Sequence, residues 1–361
     1  MWNGDKMLST KSHRHASLLR FLALYPVKKF RYFFEILLLD LAVWLLPRLP
    51  RPQLMALSRG LGWLAYWLDK RGRTTALDNL RCAFGDQYTL AERQRIARGS
   101  YQVFARTFVD LFWSPQLTAE TWQQHFVLNI ADPGAEEKAH QNGAVWVTPH
   151  FGNFELISQV WGFRGFPFTV VAQDFKNPAI TRLFKKLREL SGHTFISQEN
   201  AMIKLMKALK AKGHAGLLTD LSIVPGRAAA GIQCFGLWTS VPTLHVELAK
   251  RLGLSIITGV CRPLPDNRYE ACLFEAIEPT KADDTREMTQ RIWDRFEQEI
   301  RLHPECWLWM YKHWRYRPVG QLGVPHPDYP RYSNYSTSLA AMIPPELLKQ
   351  DAARAASAAV G

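Results

Sequence analysis

The chain has 361 residues, of which 47% are hydrophobic and 21% are charged. These proportions are typical of a folded globular protein and exclude a wholly disordered chain, a collagen and a coiled coil. Lysine and arginine total 45 against 32 acidic residues, so the formal charge is +13 and an anionic partner is expected: nucleic acid, an anionic membrane or an acidic protein. The 13 tryptophans and 20 phenylalanines favour the membrane, because amphipathic rings lie at its interface.

The first 50 residues combine positive charge with an apolar segment. Seven basic residues precede Tyr32 against one acid, Asp5: Lys6, Lys11, Arg14, Arg20, Lys28, Lys29 and Arg31. The apolar segment from Tyr32 to Leu46 would form about 22 Å of helix, which is shorter than the roughly 30 Å hydrocarbon core of a bilayer. No small-residue cleavage site follows, which argues against a signal peptide. We predict a helix seated in the membrane with basic flanks on the cytoplasmic side; a buried helix of a soluble protein is the alternative.

Helical periodicity continues after this segment. Leucines recur at three- and four-residue spacing from Gln53 to Leu68, which predicts an amphipathic helix. Residues 74–113 also have a helical pattern, clearest from Leu90 to Phe112, and Thr89 with Glu92 matches a capping box. A GxGxxA match at residues 60–65 lies inside the helical pattern and not after a strand, so it predicts no dinucleotide site.

From residue 143 short β-rich segments alternate with helical ones. The predicted strands are Ala144–Thr148, Phe168–Ala172, Thr194–Ile196, Ala215–Thr219, Ser255–Cys261 and Tyr269–Ile277. The predicted helices are Phe151–Phe163, Pro178–Leu190, Glu199–Lys212, Thr243–Leu252 and Asp284–Leu302. This alternation predicts an α/β fold with a mixed, largely parallel sheet flanked by helices.

The patterns divide the chain into three parts. A basic N-terminus with a membrane-anchoring helix covers residues 1–50, an α/β domain covers 51–318, and a tail covers 319–361. Within the domain the helical part is 51–125 and the catalytic α/β part is 143–318. The tail loses periodicity, and its Ala-rich end is expected to be loosely ordered.

The five cysteines are odd in number, widely spaced and without a CxxC pair: Cys82, Cys234, Cys261, Cys272 and Cys306. This pattern argues against a disulfide framework and a zinc ribbon. We expect a reducing compartment, with the thiols packed as small hydrophobic groups.

The candidate chemistry follows the first strand of the α/β part. Pro149 breaks the backbone after the strand, and His150 stands in the turn five positions before Glu155. Five positions turn about 140° on a helix, so the two side chains meet only if His150 lies in the turn and Glu155 in the first helical turns. A carboxylate in contact would fix the imidazole tautomer, and His150 would then act as a general base toward a hydroxyl.

Other motifs narrow this chemistry. The chain contains no GxSxG elbow, so the hydroxyl would belong to a substrate, and the spacing differs from the HExxH zinc motif. The alternative is an ordinary strand–helix turn that carries a surface acid.

Four sequence blocks resemble those of the bacterial lipid A late acyltransferase family, the lauroyl and myristoyl transferases of the lysophospholipid acyltransferase group. HFGNFEL at residues 150–156 resembles the family's HFGNWEL-type block. LDNLRCAF at residues 77–84, Phe235-Gly236 with Pro242, and PECWLWMYKHW at residues 304–314 resemble three others, in order over roughly residues 30–318.

The resemblance implies a glycerolipid-acyltransferase-like fold and transfer of a fatty acyl chain from acyl-acyl carrier protein, or acyl-CoA, to a hydroxyl of a lipid acceptor. It implies that His150 is the base, that Glu155 is its partner, and that Gly152 and Asn153 position the substrate. It implies no cofactor and no metal. The implied partners are acyl carrier protein, an anionic glycolipid or phospholipid acceptor and the cytoplasmic face of the bacterial inner membrane.

Two further site residues rest on the same resemblance. Arg188 and Asp220 fall where the family has a functional arginine and an aspartate after a strand, and we expect both to bind substrate. Alternatively, Arg188 pairs with Glu189 or another neighbouring acid at the surface, and Asp220 caps a turn.

The sequence departs from the family's blocks at three positions. Leu221 and Cys306 stand where members often have Gln, and Phe154 replaces the commoner Trp. The HxxxxE pattern is intact, so the departures bear on the acceptor, because the segment from Leu221 to Ala230 is expected to line the site.

Several alternatives remain open. Relatives in the group acylate other lipids, including ornithine lipids and mannosylated phosphoinositides. A thioester hydrolase would use the same base, and a non-catalytic lipid-binding relative would not. Nucleic-acid binding fits the basic charge, but no RRM, KH, zinc-finger or helix-turn-helix signature supports it.

Two surface interpretations also remain open. Lys204, Lys207 and Lys210 share one side of a predicted helix and form either a solvated face or a contact for a carrier protein or headgroup. The five aromatic residues of the last block and its end form either an interfacial belt or core, with core packing expected for at least two: Trp307, Trp309, Tyr311, Trp314 and Tyr316.

Overall fold

The structure is a computed structural model that describes residues 31–319 and 329–349. Its helices of four or more residues are α1 (residues 31–45), α2 (Arg51–Leu68), α3 (Lys70–Phe84), α4 (Leu90–Trp113), α5 (Pro133–Asn142), α6 (Phe154–Phe163), α7 (Pro178–Arg188), α8 (Ala201–Lys210), α9 (Leu244–Leu252), α10 (Thr285–Leu302) and α11 (Thr337–Ala340). Its strands are β1 (Phe126–Ile130), β2 (Ala144–Thr148), β3 (Phe168–Val171), β4 (Thr194–Ile196), β5 (His214–Leu218), β6 (Ala229–Cys234), β7 (Leu237–Pro242), β8 (Ile256–Pro263), β9 (Tyr269–Leu273), β10 (Tyr316–Pro318) and β11 (Asn334–Ser336).

Seven strands form the main sheet, in the order β1-β9-β8-β2-β5-β3-β4. The strands from β8 to β4 run parallel, while β9 is antiparallel to β8 and pairs with β1 in parallel. The predicted α/β fold with a mixed, largely parallel sheet is confirmed.

Both faces of the sheet are covered by helices. Val145 and Val147 of β2 join a core that includes residues of α8, α9 and α10, whereas Ala144 and Trp146 join a second core with residues of α5, α6 and α7. The alternation follows from the period of two in a strand. It explains why β2 is apolar along almost its whole length.

The sequence pattern did not predict five of the strands: β1, β6, β7, β10 and β11. The most instructive is the β6–β7 hairpin, whose two-residue turn is Phe235-Gly236 with φ values of 52° and 75°. Both residues adopt the left-handed conformation that such turns require, but an aromatic residue at the first position is not the usual Asn or Asp signal. Phe235 tolerates this backbone because its ring packs against Trp307 and Phe84.

The capping box predicted at the start of the long helix is confirmed. The Thr89 hydroxyl accepts a hydrogen bond from the Glu92 amide at 3.3 Å, and the Glu92 carboxylate accepts one from the Thr89 amide at 2.8 Å. Two N-terminal donors of α4 are thereby satisfied.

The apolar segment predicted over Tyr32–Leu46 is helical as far as residue 45. Leu39, Ala42 and Val43 pack against the protein, while Phe33, Leu38 and other apolar side chains of α1 are exposed. In residues 31–319 and 329–349, no helix has the length and hydrophobicity needed to cross a bilayer. The basic residues predicted to precede α1, up to Lys29, lie outside the described residues, and the membrane seating stays a prediction.

The predicted tail is partly integrated into the fold. Within 329–349, Tyr329, Leu339 and Ile343 are buried, and β11 pairs in parallel with β10. Leu339 and Ile343 pack together against Trp238, and Tyr329 joins the main core, so these residues are ordered by partners distant in sequence. The Ala-rich end lies outside the described residues.

The tryptophans of the last sequence block, at residues 304–314, belong to the core. Trp307, Trp309 and Trp314 are completely buried or nearly so, as expected for at least two of the five aromatic residues. The buried Asn79 amide donates hydrogen bonds to the carbonyl oxygens of Trp309 and Tyr311, both at 2.7 Å. These hydrogen bonds join the block at residues 77–84 to the block at residues 304–314, more than 200 residues away in sequence.

The cysteines also follow the prediction where the structure tests it. Cys234, Cys261, Cys272 and Cys306 are buried free thiols, and burial raises the pKa of each of them. They act as small hydrophobic groups in the core.

His193 fastens α6 to the sheet. Its Nδ1 accepts a hydrogen bond from the Phe168 amide at 2.8 Å, and its Nε2 lies 2.6 Å from the Ser158 carbonyl oxygen. The ring must be neutral to make both bonds, and burial lowers the pKa of His193 from 6.5 to about 4.

We predict that His193 makes the fold sensitive to acid. A lowered pKa in the folded state gives stability that is full above pH 6.5 and is lost as the pH falls toward 4. His193→Gln keeps a hydrogen-bond donor and an acceptor but does not titrate. Between pH 6.5 and 4 its free energy of unfolding should therefore fall by about 3 kcal/mol less than that of wild type. Urea unfolding at several pH values measures the difference, and identical pH profiles for the two proteins would contradict it.

Candidate active site

A tight turn links the end of β2 to the start of α6. Gly152 in this turn has a φ of 56°, and its amide donates a hydrogen bond to the Cys306 carbonyl at 2.8 Å. A Cβ atom at position 152 would lie 1.6 Å from the Cys261 carbonyl oxygen. Glycine is therefore required by the close backbone packing of this turn, and its predicted contact with substrate stays a prediction.

Asn153 lies inside the protein at the start of α6. Its Oδ1 accepts from the Leu156 amide at 3.0 Å, which caps the helix, and its Nδ2 donates to Asp110 and to the Tyr269 hydroxyl, both at 2.9 Å. All of these groups are buried. Asn153 fixes the turn to α4 and β9, and its side chain is fully engaged in these contacts.

Asp110 is the centre of this buried network, and no sequence motif predicted it. Its carboxylate accepts hydrogen bonds from Arg51 at 2.5 Å and from the Tyr269 hydroxyl, and Arg106 lies 3.7 Å away. The local signals are an acid on the apolar side of a helix and Arg106 four residues before it on α4. Arg51 of α2 and Tyr269 of β9 are distant in sequence, so no local pattern identifies these two partners.

The structure brings His150 to Asp220. The Nδ1 atom of His150 and the Oδ1 atom of Asp220 are 2.7 Å apart. The register of the sheet explains this contact, because β2 and β5 pair in parallel with Thr148 opposite Leu218. His150 and Asp220 each stand two residues beyond these strand ends, so they emerge side by side at the carboxyl edge of the sheet.

Asp220 is completely buried, and its second carboxylate oxygen accepts a hydrogen bond from the Trp307 indole at 2.9 Å. Burial alone would raise the pKa of this carboxyl. The charge and hydrogen bond of His150 and the contributions of His313 and Trp307 outweigh it, so the pKa of Asp220 lies below its ordinary value. An ionised Asp220 accepts a hydrogen bond from the Nδ1–H group of His150, which fixes the tautomer of the imidazole.

The His150 side chain is partly exposed at the carboxyl edge of the sheet. The side chain is 15% exposed, and the Phe154 ring meets the imidazole edge-to-face with ring centroids 4.9 Å apart. Within the described residues, no protein group hydrogen-bonds its Nε2. An unprotonated Nε2 at a partly open surface is the arrangement that a general base requires.

The carboxylate predicted to contact His150 was the wrong one. Glu155 instead accepts two hydrogen bonds from Arg188, from Nε at 2.9 Å and from Nη2 at 2.5 Å. The left-handed turn at Gly152 and the start of α6 after Asn153 direct Glu155 toward the end of α7, where Arg188 is the last residue. A carboxylate in the first turn of one helix and a cation in the last turn of another also suit both helix dipoles.

Arg188 pairs with Glu155 and not with Glu189, so the alternative of a surface bridge to Glu189 is wrong. The Glu155 side chain is almost buried, Arg188 is mostly buried, and the guanidinium lies 5.4 Å from the ring centroids of Phe184 and Phe195. Glu189 pairs with Lys185 at 3.7 Å. Arg188 is therefore held by Glu155 and two aromatic rings, and its predicted role toward substrate stays untested.

One wall of the site is built from the 304–314 block. His313 stacks on Trp307 with ring centroids 3.8 Å apart, and burial lowers the pKa of His313 to about 4. The Tyr311 hydroxyl donates to the Ser222 carbonyl at 2.9 Å, which ties this block to the segment predicted to line the site. In that segment Ser222 is buried while Val224 is exposed.

Comparison with known proteins finds relatives of one functional class. The chain is 24% identical over 283 residues to a lipid A biosynthesis lauroyltransferase of Escherichia coli, a match that covers 77% of this chain and 90% of that protein. It is 24% identical over 176 residues to a phosphatidylinositol mannoside acyltransferase of Mycobacterium tuberculosis, which covers 48% of this chain and 54% of the relative. A phosphatidylinositol mannoside acyltransferase of Mycolicibacterium smegmatis is 25% identical over 177 residues, 48% of this chain and 57% of the relative.

The family comparison extends over most of the chain. The model of the family described as bacterial lipid A biosynthesis acyltransferase matches residues 26–316, which include every element from α1 to the start of β10. The chain therefore belongs to the bacterial lipid A biosynthesis acyltransferase family and is an acyltransferase.

Proposed function

We propose that this acyltransferase moves a fatty acyl chain from acyl-acyl carrier protein, or acyl-CoA, to a hydroxyl of a lipid A precursor at the cytoplasmic face of the inner membrane. The observation that carries the proposal is the contact between His150 and the buried Asp220 at the carboxyl edge of the sheet. The family and the relative named as a lauroyltransferase support the reaction class and the acceptor.

The reaction requires one proton carrier. His150 Nε2 takes the proton of the acceptor hydroxyl while the oxygen attacks the thioester carbonyl. The tetrahedral intermediate collapses, the carbon–sulfur bond breaks, and the imidazolium returns the proton to the leaving thiolate. The products are a lipid ester and a free thiol, and the transfer forms no acyl-enzyme. The oxyanion would be stabilised by basic groups or backbone N–H groups at the same edge.

Asp220 takes the role that the sequence assigned to Glu155. It accepts the hydrogen bond from Nδ1–H and stabilises the imidazolium that forms during attack. Glu155 instead positions Arg188 beside the site. The two side chains form a mostly buried ion pair.

The charge of the protein fits the proposed substrates. The formal charge is +13, and acyl carrier proteins and phosphorylated glycolipids are both acidic. Lys204, Lys207 and Lys210 are exposed on α8, whose Leu205 and Leu209 are buried. This lysine face supports a contact with the carrier protein or the acceptor headgroup.

The decisive assay uses labelled acyl-acyl carrier protein and a total lipid extract. We predict that wild type labels a lipid, whose identity names the acceptor, and that folded His150→Ala loses about 10²–10⁴ of the rate. If the labelled product derives from an ornithine lipid or a lysophospholipid, that lipid and not a lipid A precursor is the acceptor.

Two other outcomes would contradict the proposal. Free fatty acid formed by wild type alone would indicate a thioester hydrolase. Equal labelling by the variant and wild type would show that His150 is structural.

A second prediction separates the two carboxylates. Asp220→Asn should lower kcat by about 10²–10⁴, because an amide cannot hold the tautomer or stabilise the imidazolium. Glu155→Gln should lower the melting temperature, because it leaves the Arg188 charge without its partner, a loss of about 3–5 kcal/mol for a buried pair. Assayed well below its melting temperature, Glu155→Gln should retain more of kcat than Asp220→Asn, and the reverse order would restore Glu155 as the partner of His150.

A further inference from the structure

An open cavity of about 320 Å³ lies away from His150, between the end of α2, the middle of α3 and the start of α4. Its lining shares no residue with the contacts of His150, Asp220, Glu155 or Arg188. Three basic and two aromatic side chains dominate it: Arg73, Arg95, Arg98, Tyr66 and Trp67. The volume is sufficient for a phosphate group with part of its attached alcohol.

The cavity is strongly electropositive. It is lined by three arginines and by no carboxylate. Within residues 31–319 and 329–349, none of Arg73, Arg95 and Arg98 has an acidic oxygen within 4.0 Å. The two acids nearest in sequence are engaged locally, since Asp69 accepts from Gly72 and Tyr101, and Glu92 forms the capping box of α4.

Arg73 is already held in place. Its guanidinium donates to the Tyr66 carbonyl at 3.1 Å and lies over the rings of Tyr66 and Trp67, at 5.4 Å and 5.3 Å from their centroids. Arg95 and Arg98 are exposed on α4, and Arg95 is close enough to Glu92 for its charge to help lower the pKa of that carboxyl. A fixed guanidinium beside two adjustable ones suits the multiple acceptor oxygens of a phosphate.

The rim of the cavity is continuous with an apolar surface. Trp67 lines the cavity and is 52% exposed, and its ring meets Trp63 edge-to-face. The outer side of α2 exposes further large apolar side chains: Leu57, Leu61, Trp63, Leu64 and Leu68. Exposed apolar patches of this kind mark interaction sites, and tryptophan is typical of the membrane–water boundary.

We propose that this cavity binds the phosphate headgroup of an anionic membrane phospholipid while the outer side of α2 lies in the membrane surface. The arginines supply the charge for the headgroup, and the apolar side chains next to them supply the acyl region. An acidic protein partner would place hydrated carboxylates against Trp63, Leu64 and Leu68, so the lipid is favoured over the carrier protein.

The test measures binding of the full chain to vesicles of phosphatidylcholine with and without phosphatidylglycerol. Wild type should bind the anionic vesicles more tightly. Arg95→Gln with Arg98→Gln should weaken that binding about 30-fold, because each basic residue near an anionic surface contributes roughly a factor of five. The matched control, Lys281→Gln with Arg291→Gln, removes the same charge from exposed positions before and within α10 and should change binding by less than about threefold.

A second variant tests the cavity and not only its charge. Ala91 is an exposed lining residue, and Ala91→Trp fills the space while all three arginines remain. It should weaken binding to anionic vesicles by about tenfold or more, since every arginine contact with the phosphate requires the cavity. Circular dichroism and melting temperature confirm that each variant is folded.

Four results would overturn the proposal. The first is equal losses for the arginine variant and the lysine–arginine control. The second is wild-type binding by Ala91→Trp. The third combines two observations: inorganic phosphate raises the melting temperature of wild type but not of the arginine variant, and the two proteins bind vesicles equally well. This combination would indicate a site for free phosphate. The fourth is loss of acyl carrier protein binding alone, which would indicate a protein-docking surface.

Discussion

The parallel pairing of β2 with β5 is the constraint on which the rest of the site depends. Thr148 lies opposite Leu218, and the two chains leave the sheet at the same level, so His150 and Asp220 meet after two residues each. The distance between them is set by the spacing of neighbouring strands and does not depend on a flexible loop. A slip of one residue in this register would reverse the side-chain direction along the strand and break the contact.

The burial of Asp220 determines how the His150–Asp220 pair behaves chemically. Asp220 is removed from water but keeps its charge, because His150 and the Trp307 indole both donate to it. Trp307 must itself be held in place for this bond. His313 stacks on its ring, and Asn79 donates a hydrogen bond to the backbone of the same block. The aromatic block at residues 304–314 is thus a structural support of the site, and its tryptophans serve packing and hydrogen bonding at once.

A separate network holds the turn that carries His150. Asn153 caps α6 and reaches Asp110, and the Thr107 hydroxyl donates to the Gly152 carbonyl at 2.9 Å. The ion pair of Glu155 with Arg188 stiffens the next turn of the same helix. The HxxxxE pattern therefore contributes two different things: a histidine that reacts in the proposed mechanism and a glutamate that orders its surroundings.

The sequence by itself determined most of the helices and strands and the position of the candidate histidine after a strand. The β-rich segment Ala144–Thr148, the alternation of strands with helices and the Thr89–Glu92 capping box are local features, and all three are present in the structure. The position of His150 after a strand was equally local. Tertiary structure alone decided which carboxylate the histidine contacts, because Asp220 is 70 residues away and only the order of β2 and β5 in the sheet brings it near. The same reason hides Asp110, the aromatic hairpin turn at Phe235 and the packing of residues 329–349, since each depends on partners distant in sequence.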